Sequence, residues 1–487
     1  MLNKLFKTML LVVSLVTVSL SVVAQTETPA KLPDNVPALL VKTNEAYLAK
    51  DYLTFRRALE RLHEMRPYNS EYMYQLVIAH ALLDEKSPAY DMMLKMQQSG
   101  LTYDFTKTEN TRNIRGTEVF DYVNDLMVMA AEPVGESEPA FTLPENVALP
   151  EAIAWDESRQ KFLVGTVADG SIFAVGKDGE VTELLKADKD NGLWSVFDIL
   201  VDQSRNRLWV SSAAIPVFSG YGPVDKGRSG LFEFDLKTLD LIRHHPVAAD
   251  GNPHVLGSMA QSPNGDIYVV DRALPLLFIK PADQERVLPL LVAKEMISMR
   301  GVAMQPDGNL MYVADREMGI MVVDIKGKRT GKLQTPSTLN LGGIDGLYLW
   351  ENNLVVIQNG IKPQRVMRLA LDATGTQVIG VRPLAVAQEM FDFPSFGTLQ
   401  DNDLYYFASS QATVNSDRPK TVTVLRTPVD GTEELVGPDM AAYLEERAKK
   451  LEEKRKAALK RRAEAEKAAA AEAAQQEGHQ KDEPDGS

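Results

Sequence analysis

A polar turn flanked by two short apolar runs is spelled repeatedly between residues 150 and 430, and this repetition limits the fold more than any other property of the chain. The clearest copy is residues 344–360, where the apolar runs 347–349 and 354–357 enclose Glu351-Asn352-Asn353. That pattern predicts a tight antiparallel hairpin. Residues 299–315 repeat it around Pro306-Asp307-Gly308-Asn309, and residues 256–271 around Pro263-Asn264-Gly265. Recurrence at this spacing predicts an array of equivalent small sheets, for which the usual closed form is a propeller.

Aligning the hairpins on their turns places six segment starts in register: Glu151, Phe197, Gly257, Arg300, Asp345 and Ser395. Their intervals of 43 to 60 residues suit four short strands per blade, so a six-bladed propeller is expected over 149–430. The last blade needs a closing strand, for which 421–427 alternates suitably, and 140–143 can supply an outer strand from the other end of the domain. The longest interval contains 213–230, rich in Pro, Gly and Ser, a surface loop long enough to reach over one mouth of the channel.

Ahead of the propeller, 36–131 carries helical periodicity. Asn44, Ala46, Tyr47, Asp51-Tyr52, Phe55, Ala58-Leu59 and Pro67 fall at the spacing of a tetratricopeptide-like helix pair, and 72–96 repeats it less faithfully. Asp51, Ser70 and Ser87 are the expected N-caps. So short an array must cover its apolar faces by packing on the propeller or on 118–129. Residues 132–148, rich in Pro, Glu and Ser, read as a linker. Beyond the propeller, 445–474 is nearly all Glu, Lys, Arg and Ala, which predicts a solvated charged helix over 438–474 followed by a disordered tail at 475–487. The fold class is therefore multidomain α and β.

Lys4 and Lys7 precede an apolar run ending in Val22-Val23-Ala24, the pattern of a signal peptide over 1–24 cleaved after Ala24, so a periplasmic or secreted protein with no membrane span in the mature chain is expected. The chain has no cysteine, which excludes disulfides, thiolate metal sites and a cysteine nucleophile. A net charge of −14 argues against nucleic acid as a partner.

In a propeller the residue opening each innermost strand faces one end of the channel, so Glu151, Phe197, Gly257, Arg300, Asp345 and Ser395 are expected to converge there. Two carboxylates on one ring suit a hard cation, but the cationic Arg300 among them favours a guanidinium–carboxylate pair with Glu151 or Asp345. Asp198 could also turn into the channel, although a strand-end hydrogen bond is its simpler role. His254 is the one histidine near a channel opening suited to proton transfer, whereas His244-His245 reads as a solvated pair.

From Glu151 to Gln411 the chain resembles the gluconolactonase and regucalcin-like superfamily of six-bladed propellers, with Pro150-Glu151-Ala152-Ile153-Ala154-Trp155 similar to its opening Glu-Gly-Pro-x-Trp, and Arg300-Gly301 and Asp345-Gly346 standing at its Asn-Gly and Asp-Gly. The resemblance implies a divalent cation, calcium or zinc, on a Glu, two Asn and an Asp that also serves as base in lactone hydrolysis. Carried over, the Glu is Glu151 and the Asp is Asp345, while the two Asn fall on Phe197 and Arg300, neither of which ligates a metal. The leading expectation is therefore a binding or scaffolding protein without a cofactor, taking a small ligand at the propeller mouth and a protein segment on the helices. The alternative is a metal-dependent lactone or ester hydrolase with Asp345 as base and Glu151 as metal ligand.

Overall fold

A computed structural model describes residues 31–410 and 421–431, with isolated positions between 449 and 467. The expected signal peptide and the tail at 475–487 lie outside the described residues, as does the charged helix at 438–474 but for those positions. Among the described residues no helix is long and apolar enough to cross a membrane.

The N-terminal region is built of helices α1 (Val36–Leu48), α2 (Tyr52–Met65), α3 (Ser70–Leu82), α4 (Lys86–Gln98) and α5 (Glu118–Met129). Asp51 caps α2 as expected, its carboxylate accepting from Thr54 N at 3.1 Å. The other two caps differ. Asn69, not Ser70, caps α3, because its side-chain oxygen accepts from both Glu71 N and Tyr72 N. Ser87 lies inside α4, which starts after Glu85 with no side-chain cap. Leu39, Phe55, Leu59, Leu62, Met73 and Met93 fill the shared core of these helices.

Strand pairing closes six antiparallel sheets in chain order. Their innermost strands are Pro150–Asp156, Ser195–Asp202, Leu256–Gln261, Met299–Met304, Ile344–Trp350 and Gly397–Gln400, and these define blades 1 to 6. An apolar cluster fills each gap between neighbouring blades, as Leu163, Val196 and Phe232 do between blades 1 and 2 and Val355, Leu384 and Tyr406 between blades 5 and 6. The propeller is thus held by sheet-on-sheet packing around the ring, with the channel left along the axis.

The segment at 132–148 is not a linker. Val134–Gly135 pairs with Val386 and Ala385 on the outside of blade 5, and Glu138–Leu143 pairs with Val422–Pro428 as the outer strand of blade 6. Its Pro and Glu residues suit an outermost strand, which has one edge without a ladder partner and one face in water. The expected outer strand at 140–143 is the core of this closure.

The helices dock on the face of blades 4 and 5 that carries the channel mouth. Arg66 of the α2–α3 turn pairs with Glu317, which also accepts from Asn69 Nδ2 at 3.2 Å. Buried Arg365 of blade 5 donates to Ser99 O at 3.1 Å, Asn340 O at 3.2 Å and Gln358 Oε1 at 2.8 Å. Ile361 completes the helical core from the propeller side.

Candidate ligand site at the channel mouth

The innermost strands of blades 1 to 5 each carry a bulge where they open. Pro150 pairs with Thr166 and Ala152 with Gly165, leaving Glu151 extra, and the same skip leaves Phe197 and Asp345 extra in blades 2 and 5. In blades 3 and 4 the shift falls across Gly257-Ser258 and Arg300-Gly301. A bulge kinks its strand and re-aims the extra residue, so five of the six expected ring positions stand at the mouth. The sixth does not. Ser395 N donates to Phe407 O while Phe407 N donates to Phe396 O, so the extra residue of blade 6 is Phe396 and Ser395 is buried one place earlier. A shift of one residue exchanges the faces of a strand.

A second layer comes from residues that leave the next strand out. In blade 4, Asp315 is buried and its carboxylate accepts from Ile297 N and Ser298 N at 2.6 Å and from Glu317 N and Met318 N at 2.9 Å, which fixes the turn and sends Arg316 to the mouth. Asp271 does the same in blade 3, accepting from Val255 N, Ala273 N and Leu274 N, and places Arg272. Asn359 holds the equivalent position in blade 5. Its backbone lies against Gly343, whose φ of 67° and lack of a Cβ permit this approach; a Cβ there would sit 2.4 Å from Gly360 Cα.

His254 is part of this scaffold. It is 3 % exposed, with Nδ1 2.7 Å from Asp271 Oδ2 and Nε2 3.1 Å from Asp250 Oδ1. Both ring nitrogens are engaged, so it braces the Arg272 turn and is not placed for proton transfer to a ligand. His244 and His245 are not a solvated pair either, since His245 is buried and His244 stacks on Phe232 with centroids 4.1 Å apart.

Arg272 crosses the channel. Its Nη1 donates to Glu151 Oε2 at 2.9 Å, and its guanidinium lies over the rings of Phe197 and Phe396 at 5.0 and 5.3 Å. Gly257 leaves room for it, because a Cβ there would come within 2.7 Å of Arg272 Cγ and Cδ. On the other side, Asp345 accepts from Arg316 Nη1 and from Asn359 Nδ2, and Asn359 Nδ2 also donates to Pro394 O at 2.9 Å. Arg300 Nε stands 3.6 Å from Asp345 Oδ1. Burial, together with the neighbouring Arg272 and Arg316 charges, pushes Arg300 down to about 10, against the opposing pull of Asp345. The expected guanidinium–carboxylate pairing is present, with two further arginines engaged.

Beneath this layer the channel holds a cavity of about 320 Å³, lined by Ile153, Asp198, Met259, Val302, Tyr348 and Phe396 among others. Asp198 both lines the cavity and makes strand-end hydrogen bonds, accepting from Ile199 N at 2.9 Å and, across to blade 3, from Met259 N at 2.6 Å. Burial pushes its carboxyl up to about 7, against the pull of those two donors and Arg272. Tyr348 Oη accepts from Gly397 N at 2.5 Å, and burial raises its phenol above the ordinary range.

The donor set does not suit a resident divalent cation. Calcium wants six to eight oxygens, whereas Glu151 and Asp345 each already accept from a guanidinium, and Phe197 and Arg300 supply no ligand. Among the described residues no group of three or more His, Asp or Glu side chains is placed to share an ion.

The approach to the mouth is walled on two sides. The α2–α3 turn and the propeller enclose a cleft of about 310 Å³, lined by Tyr68, Asn69, Ser70, Ser298, Arg316 and Gly343 among others. Opposite, the loop 213–230 lies over blades 1 to 3, with Ser219 N donating to Ala168 O at 2.8 Å and Gly227 against Pro253. The expected long loop is thus seated on the loops of its neighbouring blades.

No family model matches the chain, and no curated relative matches it. Solved structures do. The likeness is one of fold, at low identity. A gluconolactonase from Xanthomonas campestris shares 14 % identity over 61 % of this chain and 99 % of its own, with a TM-score of 0.42. A calcium-binding regucalcin from Agrobacterium tumefaciens shares 14 % over 60 % and 95 %, with a TM-score of 0.43. A luciferin-regenerating enzyme shares 17 % over 62 % and 96 %, also at 0.43. The six-bladed architecture itself rests on the strand pairing described above.

Proposed function

We propose that this is an exported binding protein whose propeller mouth holds a small ligand and whose helices take a protein segment on their outer face. The observation that carries the ligand reading is the state of the ring: both carboxylates that a metal-assisted hydrolase would use are bonded to arginine, while a cleft opens beside Arg316, one of those arginines. Asp345, held by Arg316 and Asn359, is not poised as a base. Exposed Leu40, Val41 and Leu48 of α1 and Leu53 of α2 support a protein segment on the helices. The basic and then apolar start of the chain supports export.

The test is native mass spectrometry of the full chain purified from periplasm, combined with co-purification of the parent and a Leu40→Glu/Leu48→Glu variant. A bound small molecule, and partners lost from the variant, are the expected results. Turnover of gluconolactone that depends on added calcium or zinc would replace this reading with the hydrolase.

A further inference from the structure

Arg272, Arg300 and Arg316 bring three positive charges to a ring that supplies two carboxylates, Glu151 and Asp345, a surplus of about one unit of positive charge around the three guanidiniums; of the other carboxylates that line the cleft beside Arg316, Glu317 is paired with Arg66 and Glu71 is exposed to solvent. Asp198 below is driven toward its neutral form by burial and offsets this only in part near neutral pH. Like charges gathered in a water-poor site repel unless a counter-ion completes the set. The guanidiniums also hold unused donors. Each makes its hydrogen bonds through Nη1 alone. Nε and Nη2 of Arg272 and Arg316, and Nη2 of Arg300, have no protein acceptor among the described residues, and none of these atoms is sealed from solvent.

We infer that the mouth takes a small monoanion, gripped by a carboxylate between Arg272, Arg300 and Arg316. This rests on the ligand-binding reading above and specifies its chemistry. A carboxylate neutralises the surplus, whereas a phosphate dianion overshoots it. Its two coplanar oxygens match the guanidinium fork, and the ring arginines already bond two carboxylates, each through a single Nη1 contact that leaves the rest of the fork open. Phe197 and Phe396 lie against the Arg272 guanidinium and replace part of its hydration with apolar surface, which strengthens its contact with an anion. The cleft beside Arg316 admits a molecule of small size.

The test is calorimetric titration of the full chain at low salt with benzoate, with benzyl alcohol as its neutral counterpart, and with inorganic phosphate. Benzoate binds and benzyl alcohol does not. Arg300→Gln weakens benzoate by about tenfold or more, and Arg300→Lys by less. In Arg300→Gln, Asp345 keeps Arg316 and Asn359, so the variant folds, which an unchanged melting profile verifies. Benzoate binding that is undetectable, or equal in Arg300→Gln, overturns the inference, as does benzyl alcohol binding as tightly. Phosphate binding more tightly than benzoate overturns the monoanion assignment. A neutral compound that binds or co-purifies while benzoate does not bind leaves the ligand-binding reading standing and removes only its anionic character. Loss of both, with no small molecule carried from periplasm, removes the reading itself.

Discussion

Arg272 of blade 3 meets Glu151 of blade 1 across the channel, Nη1 to Oε2 at 2.9 Å, between the rings of Phe197 and Phe396. One side chain therefore ties together blades 1, 2, 3 and 6. Glu151→Gln keeps an acceptor but removes its charge. It is expected to lower stability by about 2 kcal/mol in a denaturant titration, the scale of a hydrogen bond to a charged group, while tightening benzoate because the positive surplus grows.

Asp198 gives the protein a pH signature. Its folded carboxyl titrates at about 7, above the ordinary 3.8. Between those values the folded chain holds a proton that the unfolded chain releases, so its contribution to stability falls as pH rises through this window and levels off above about 7. Arg272 and the Tyr348 phenol are the groups that face it. Denaturant titrations of the parent and Asp198→Asn across pH 4 to 8 are expected to converge in slope only above neutrality. Parallel profiles throughout would show that Asp198 is charged over the whole range.

Gly257→Ala places a methyl group on the Arg272 stem. Overpacking of this kind costs about 1–3 kcal/mol, and the displaced guanidinium loses its aim at Glu151. A thermal melt and benzoate titration of the variant should show both effects together. A tighter benzoate complex would contradict the placement of Arg272 in the site.

Arg365 has no carboxylate partner among the described residues; it is buried, pushed down to about 10 by that burial, and donates to two backbone carbonyls and the Gln358 amide oxygen. Arg365→Met is expected to cost about 2–4 kcal/mol, through the acceptors it leaves unsatisfied. Because Ser99 belongs to the helical region, the variant should also expose the stretch between α4 and α5 to limited proteolysis. An unchanged digest would mean that Arg66, Asn69 and Ile361 suffice to dock the helices.

The architecture was legible because each blade repeats one hairpin pattern, and aligning the turns recovered five ring members. The sixth failed by one residue, since hairpin alignment fixes the strand and not the bulge that opens it. The ring's other half was missed although its signal is in the chain: Tyr268-Val-Val-Asp-Arg272 and Tyr312-Val-Ala-Asp-Arg316 match at four of five positions in successive blades. Read as strand ends, these place an arginine at the mouth twice, each braced by the aspartate before it. Composition also misled at 132–148, because Pro and Glu are as suited to an outermost strand as to a linker.

That outer strand has a consequence for assembly. Glu138 pairs with Arg426, so a chain emerging N-terminus first must hold the outer strand of blade 6 in waiting until the last strand has been made. Pairing over such a sequence separation is intrinsically slow. Glu151 and Phe396, from the first and last blades, face Arg272 from either side of that seam, so the mouth becomes competent only when the ring is finished.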